Sequence, residues 1–178
     1  MTMIVFKGRT VLVADTNVED FPSAKRLVDI SKSCVRVSKL FGFEPKVAFL
    51  SHSTFGKPIS RNTKHVRDAI EILLYEKVEF DFDGEMQPDV ALNPIYQDVY
   101  PFSKIVGKAN ILIMPALHSA AISTKLMKSF GGAKLIGPLL IGLDLPIEVA
   151  PLRSSTSDIL NLASIAAYSA DVIDYKKN

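Results

Sequence analysis

Short apolar runs of strand type alternate along this chain with stretches whose apolar residues recur every three or four positions, and few folds accommodate that alternation. Thr10-Val11-Leu12-Val13-Ala14 is a strand-like run ending in Asp15. Leu27, Ile30, Cys34, Val37 and Phe41 then mark one face of a helix, with Pro22 suited to its first turn and Gly42 to its C-terminal cap. Lys46-Val47-Ala48-Phe49-Leu50 is the next strand, followed by the polar loop Ser51 to Pro58. Asn62 can cap a second helix whose buried face is Val66, Ala69, Ile70, Leu73 and Leu74. Glu79-Phe80-Asp81-Phe82 alternates like a strand and runs into Asp83-Gly84-Glu85, while the segment from Gln87 to Phe102 is irregular, a short helix or an excursion. Asn110 to Met114 is a further strand, stopped by Pro115, and a helix from Leu117 to Phe130 closes at Gly131-Gly132. After an apolar segment interrupted by Gly and Pro, Ala133 to Leu143, Ser155 offers an N-cap to a last helix with Ile159, Leu162, Ala163 and Ala166 on one face. Strands and helices in alternation predict an α/β fold, a largely parallel sheet flanked by helices.

Composition excludes several classes. Hydrophobic residues make up 48% of 178, enough for a sizeable core, and the formal charge of +2 is too even to grip a nucleic-acid backbone. A single cysteine, Cys34, permits no internal disulfide and suits a reducing compartment. The apolar start, Met3 to Phe6, breaks at Lys7-Gly8-Arg9, unlike a signal peptide. The most apolar stretch, Ile136 to Leu143, falls far short of the roughly 20 residues that cross a bilayer, and Asp144 and Glu148 follow it. These features predict a cytoplasmic chain with no membrane partner.

In an open α/β sheet, ligands gather where strands end. Four segments qualify: Asp15 to Asn17, Ser51 to Lys57, Asp83 to Asp89, and the turn from Glu148 to Asp158. Ser51, Ser53, Thr54 and Lys57 supply hydroxyls and a charge suited to phosphate, or form an ordinary strand-to-helix turn; the spacing is not that of a nucleotide P-loop. Asp83, Glu85 and Asp89, with Gln87 between, suggest a structural motif that caps the next helix more than a metal or acid/base site. No His/Cys ligand spacing accompanies them, so no metal is predicted. His52, His65 and His118 are dispersed, His65 reads as solvent-facing, and Cys34 reads as core. Asp171, Asp174, Lys176 and Lys177 read as a solvated tail.

Five segments in order resemble the second half of the phosphate acetyl/butyryltransferase family. They are Val13-Ala14-Asp15, Lys46 to Thr54, Asp83 to Leu92, Gly107 to Pro115, and Gly131 to Pro138. The resemblance implies an isocitrate/isopropylmalate-dehydrogenase-like lobe spanning residues 1–178. The N-terminal lobe is then absent from this chain, and dimerisation through the lobe present is expected. It also implies a site: Ser51, Ser53, Thr54, Lys57 and Arg153 for phosphate or acyl-CoA, with Asp158 as the vestige of a catalytic aspartate. Active members carry a Ser-Arg pair followed by that aspartate; here Pro151 and Leu152 stand at the pair and only Asp158 remains. Loss of the arginine removes the cation an acyl phosphate needs. With Gly8-Arg9-Thr10 and Leu50-Ser51-His52-Ser53, it makes the chain resemble the C-terminal domain of bacterial NADP-dependent malic enzymes. The expectation is an acetyl-CoA-binding regulatory and oligomerisation domain, with NADP and divalent metal held outside this chain. The alternatives are a phosphate acetyltransferase fragment, in which Asp158 assists attack of the CoA thiolate on acetyl phosphate, and a dimerisation platform without ligand.

Overall fold

A computed structural model describes residues 1–143 and 145–175. Asp144 and the tail lysines Lys176 and Lys177 lie outside them. Six strands form one sheet: β1 Thr2–Phe6, β2 Arg9–Ala14, β3 Lys46–Leu50, β4 Asp81–Met86, β5 Ile111–Ile113 and β6 Lys134–Ile136. Five α-helices surround it: α1 Ala24–Leu40, α2 Lys64–Glu76, α3 Pro88–Leu92, α4 Leu117–Gly131 and α5 Thr156–Tyr175. The strand order is β4-β3-β5-β2-β1-β6. From β4 to β2 all pairings are parallel, whereas β1 pairs antiparallel with both β2 and β6. The sheet is therefore mixed, with β1 alone running against the rest.

That exception comes from a hairpin the sequence reading did not assign. Lys7 and Gly8 both take positive φ, 47° and 73°, so a two-residue turn folds β1 back onto β2 with Thr2 opposite Val13 and Phe6 opposite Arg9. Such turns match the twist of paired strands and favour glycine at the second position.

The central strands bury both faces, which explains their nearly continuous apolar runs. Leu12, Ala14, Val47, Phe49, Ile111 and Ile113 face one core with residues of α1, α2 and α5. Val13, Ala48, Leu50 and Leu112 face the other, with Ala91 of α3 and Ala120 of α4. Period-two alternation thus feeds two layers at once.

Several predicted ends shift. Ser23 caps α1, its side chain accepting from the Arg26 amide, so Pro22 stands outside the helix rather than in its first turn, and Gly42 follows the C-terminal cap Phe41 with positive φ. A short 3-10 turn at Arg61–Thr63, capped by Ser60, leads into α2, so Asn62 is not the cap. Leu74 and Ile159 are about half exposed, while Leu162 alone of the predicted α5 face is fully in the core. β4 begins at Asp81, later than the Glu79–Phe82 reading, because the polar run Asp83-Gly84-Glu85 belongs to the strand itself.

Candidate functional site

The parallel strands β2, β3, β4 and β5 end on one edge of the sheet, joined there by the end of β6 and the start of β1. Two clusters of polar side chains occupy this edge, and they divide the predicted residues between them.

Beyond β3 and β4, the loop Ser51–Lys57 is bound inward. Glu85, only 1% exposed, points to it from β4. Its Oε1 accepts from Ser53 Oγ at 2.8 Å, the Gly56 amide at 3.1 Å and the Arg67 guanidinium at 3.3 Å. Ser51 Oγ lies 3.1 Å from Ser53 Oγ, and Thr54 Oγ1 accepts from the Gln87 amide. The Gln87 side chain donates to the His52 carbonyl. Thr54 and Lys57 exchange both backbone hydrogen bonds around Phe55 and Gly56. The hydroxyls of Ser51, Ser53 and Thr54 are thus buried and committed within the protein, while Lys57 projects into solvent. Arg67, from α2, completes this cluster and was not foreseen, since nothing in the spacing of α2 distinguishes it.

The acidic motif also turns inward. Asp83 is buried in β4, accepting from the Gly84 and Lys104 amides, so it ties β4 to the excursion rather than capping a helix. Asp89 lies exposed in the first turn of α3, where a carboxylate complements the helix dipole. Among the described residues no group of three His, Cys, Asp or Glu side chains could hold a metal ion. His65 is half-buried, with Nε2 3.0 Å from the Pro115 carbonyl oxygen and its ring beside Phe21, not facing solvent as read from sequence. His52 and His118 are exposed. Cys34 is fully buried, and burial pushes its thiol up to about 12, far from a reactive thiolate.

Across the edge, at β2, β1 and β6, lies a recess of about 420 Å³. Arg153 and Asp158 line it; Ser51, Ser53, Thr54 and Lys57 do not. Its floor is Thr2 and Thr16, whose hydroxyls are 2.8 Å apart, with Gly137 and Pro138 beyond β6. One wall is α4, which presents Ala121, Thr124, Lys125 and Lys128, positions that share a face at helical spacing. The other wall is the turn Pro151–Ser154 and the first turns of α5, including Asn161. Leu152 is absent from the lining and wholly exposed, whereas its neighbours Pro151 and Arg153 line the recess from exposed positions.

Asp158 sits in a reciprocal cap. Its amide donates to Ser155 Oγ at 3.2 Å, and its carboxylate accepts from the Ser155 amide at 3.0 Å and the Ser155 hydroxyl at 2.8 Å. Those bonds hold its carboxyl below the usual aspartate range, and the charges of Lys128 and Lys134 add to the effect. Lys125, Lys128 and Arg153 form no ion pair among the described residues. The two lysines escaped the sequence reading, although their three-residue spacing on a helix without a carboxylate was a usable signal. A larger groove of about 510 Å³ runs between α1 and α5, lined by Val37, Leu40, Ile141 and Ile165 together with Arg36, Lys39 and Glu148. The smaller recess lies where the parallel strands end and brings Arg153 and Asp158 together, which makes it the better candidate.

A family model described as phosphate acetyl/butaryl transferase matches residues 1–167. An NADP-dependent malic enzyme of Rhizobium meliloti (strain 1021) is 47% identical over 96% of this chain, which spans 22% of that protein. A phosphate acetyltransferase of Bacillus subtilis (strain 168) is 34% identical over 88% of this chain and 49% of its own length. A phosphotransacetylase structure from Streptococcus pyogenes superposes with a TM-score of 0.88 at 32% identity, covering 95% of this chain and 53% of that one. The chain therefore spans about a fifth of the malic enzyme and about half of the transferases.

Proposed function

The chain belongs to the phosphate acetyl/butaryl transferase family, and on that premise we propose that it is the acetyl-CoA-binding regulatory and oligomerisation domain of a malic enzyme. The recess at Arg153 and Asp158 is its ligand site. One observation carries the reading: at the turn before α5 the recess keeps cations and donors for a phosphorylated ligand, but lacks a side chain to drive transfer. Pro151 has no hydroxyl, Leu152 points into solvent, and Asp158 is engaged as a helix cap with its carboxyl held below the usual range. A carboxyl held below its usual range is a weaker acceptor for a thiol proton. Binding without turnover is what such a site supports.

In this reading the chain is one lobe of a two-lobed domain, consistent with its spanning about half of the transferases. It forms a homodimer, and the domain works in the cytoplasm. NADP and a divalent metal belong to the catalytic part of the malic enzyme, outside this chain. The buried Ser51–Thr54 hydroxyls serve the fold rather than the ligand.

Phosphate acetyltransferase activity is the second reading, favoured by Asp158 and Arg153 lining one recess. There Asp158 would take the CoA thiol proton as the thiolate sulfur attacks the acetyl carbonyl carbon of acetyl phosphate, releasing inorganic phosphate. The deciding experiment measures the thermal midpoint with acetyl-CoA and with acetyl phosphate, together with phosphate-dependent consumption of acetyl-CoA. A ligand that binds only the folded state raises the midpoint by mass action. A shift with acetyl-CoA and no turnover is expected. Turnover would establish the second reading, and the absence of any shift would leave either a site that the other lobe completes or a platform for assembly alone.

A further inference from the structure

Among the described residues, the groove between α1 and α5 shares no lining residue with the recess, so its chemistry is separate from that of the proposed acetyl-CoA site. Its walls are Val37 and Leu40 of α1, Ile165 of α5, and the segment that leaves β6. Gly142 brings that segment against α1: its φ is +83°, and a Cβ there would lie 3.3 Å from Ser33 Oγ. The segment is tied where Leu139 and Glu148 form a β-bridge and the Glu148 carboxylate accepts from the Leu140 amide at 3.1 Å. Between those ties Leu143 and Leu145 line the groove with their side chains exposed to water.

Three charged side chains line this groove among the described residues: Arg36 and Lys39 of α1, and Glu148. Arg36 and Lys39 are three residues apart, so they are neighbours on one helix face, both at exposed positions. Neither forms an ion pair among the described residues, whereas Arg26 and Lys32 of the same helix are paired with Glu19 and Glu76. One nitrogen of the Arg36 fork donates to the Ser33 hydroxyl at 3.1 Å. Glu148 is half-buried, and burial pushes its carboxyl above the usual range. Two cations against one carboxylate leave one net positive charge beside an aliphatic lining.

We propose that this groove is a second binding site, for a singly charged amphiphile: a medium-chain carboxylate whose head meets Arg36 and Lys39 and whose tail lies along Leu140, Ile141 and Ile165. Size and charge select that class. A volume of about 510 Å³ is that of a small-molecule site, and so is a lining of aliphatic side chains with a few polar groups. One excess positive charge matches a monoanion, whereas a phosphorylated ligand brings more negative charge than the groove neutralises and meets Glu148 as well. Arg36 offers a planar fork to a carboxylate, and Lys39 adds a mobile point charge. The tail contributes about fourfold in affinity for each methylene removed from water.

The test is titration calorimetry of hexanoate, octanoate and decanoate into the chain, with octylamine as a probe of the same tail and opposite charge. The substitutions are Arg36→Gln and Lys39→Gln, singly and together, both at exposed positions. Octanoate is expected to bind at one site, about tenfold more tightly than hexanoate and more weakly than decanoate. The double variant should weaken octanoate about tenfold, the loss of a charge-assisted pair, and each single variant less. Octylamine should bind more weakly than octanoate. Arg153→Gln should leave octanoate binding unchanged, since that side chain lines the other cavity.

Absence of saturable octanoate binding overturns the site. Octylamine binding as tightly as octanoate also overturns it, by reducing the groove to apolar surface, and so does octanoate binding indifferent to both α1 substitutions. Octanoate binding that Arg153→Gln abolishes and the double variant keeps would put the carboxylate in the recess, against the proposal.

Discussion

Glu85 shows how one side chain can define a loop. Buried in β4, it is the common acceptor for Ser53, Gly56 and Arg67, and its second oxygen, Oε2, has no partner among the described residues. Glu85→Ala would leave the Ser53 hydroxyl and the Gly56 amide without their acceptor, at a cost of about 2 kcal/mol, while Arg67 keeps Thr63 and the Ser60 carbonyl as partners. Glu85→Gln keeps the shape and one acceptor, so it should cost less; urea unfolding of both variants measures the difference. The neighbouring Gly84 has φ +147°, and a Cβ there would meet the Phe49 carbonyl oxygen at 2.7 Å and the Phe49 Cβ at 3.0 Å. Neither neighbour can yield without moving β3. Gly84→Ala is expected to destabilise the fold by about 2 kcal/mol or more, read as a lower urea midpoint at unchanged m-value.

At the scale of elements, the start of α5 joins stability to the recess. The Ser155–Asp158 cap lowers the aspartate's folded pKa. Its contribution is therefore complete above the unfolded value of about 3.9 and disappears as pH falls through the lower folded value. Unfolding curves of the unsubstituted chain and Asp158→Asn should differ at pH 6 and converge as the medium becomes more acid than about pH 4. A constant difference across that range would mean that Asp158 acts without its charge.

The same helix shows what sequence can convey. Ser155 was legible as a cap because capping is local chemistry, confined to four residues. β3 and β5 were legible because strands buried on both faces are written as unbroken apolar runs. β4 was placed too early because Asp83, Gly84 and Glu85 look like loop residues until Glu85 meets Ser53 and Arg67, which are remote in sequence. The site divided in the same way. Arg153 and Asp158 lie close along the chain and share the recess, whereas Lys125 and Lys128 join them only once α4 has folded over β6. The expectation of a largely parallel sheet overlooked β1, whose direction follows from two turn residues, Lys7 and Gly8.

At the scale of the whole molecule, one exposed apolar stripe lies on α4, where Ile122, Leu126 and Phe130 follow at four-residue steps, and Phe130 is 87% exposed. If the proposed homodimer uses that face, Leu126→Glu together with Phe130→Glu should halve the mass seen by sedimentation equilibrium and leave the circular dichroism of the fold unchanged. A dimer that survives both substitutions must be joined elsewhere. Helix α4 thus has three duties around its circumference: Ala120 enters the core, Lys125 and Lys128 line the recess, and Ile122, Leu126 and Phe130 face outward. A rigid rod with a ligand on one side and a second subunit on the other obeys reciprocity: whatever factor ligand contributes to association, association returns to ligand affinity. Half-saturation would then drift with protein concentration, and dilution alone would act as an effector.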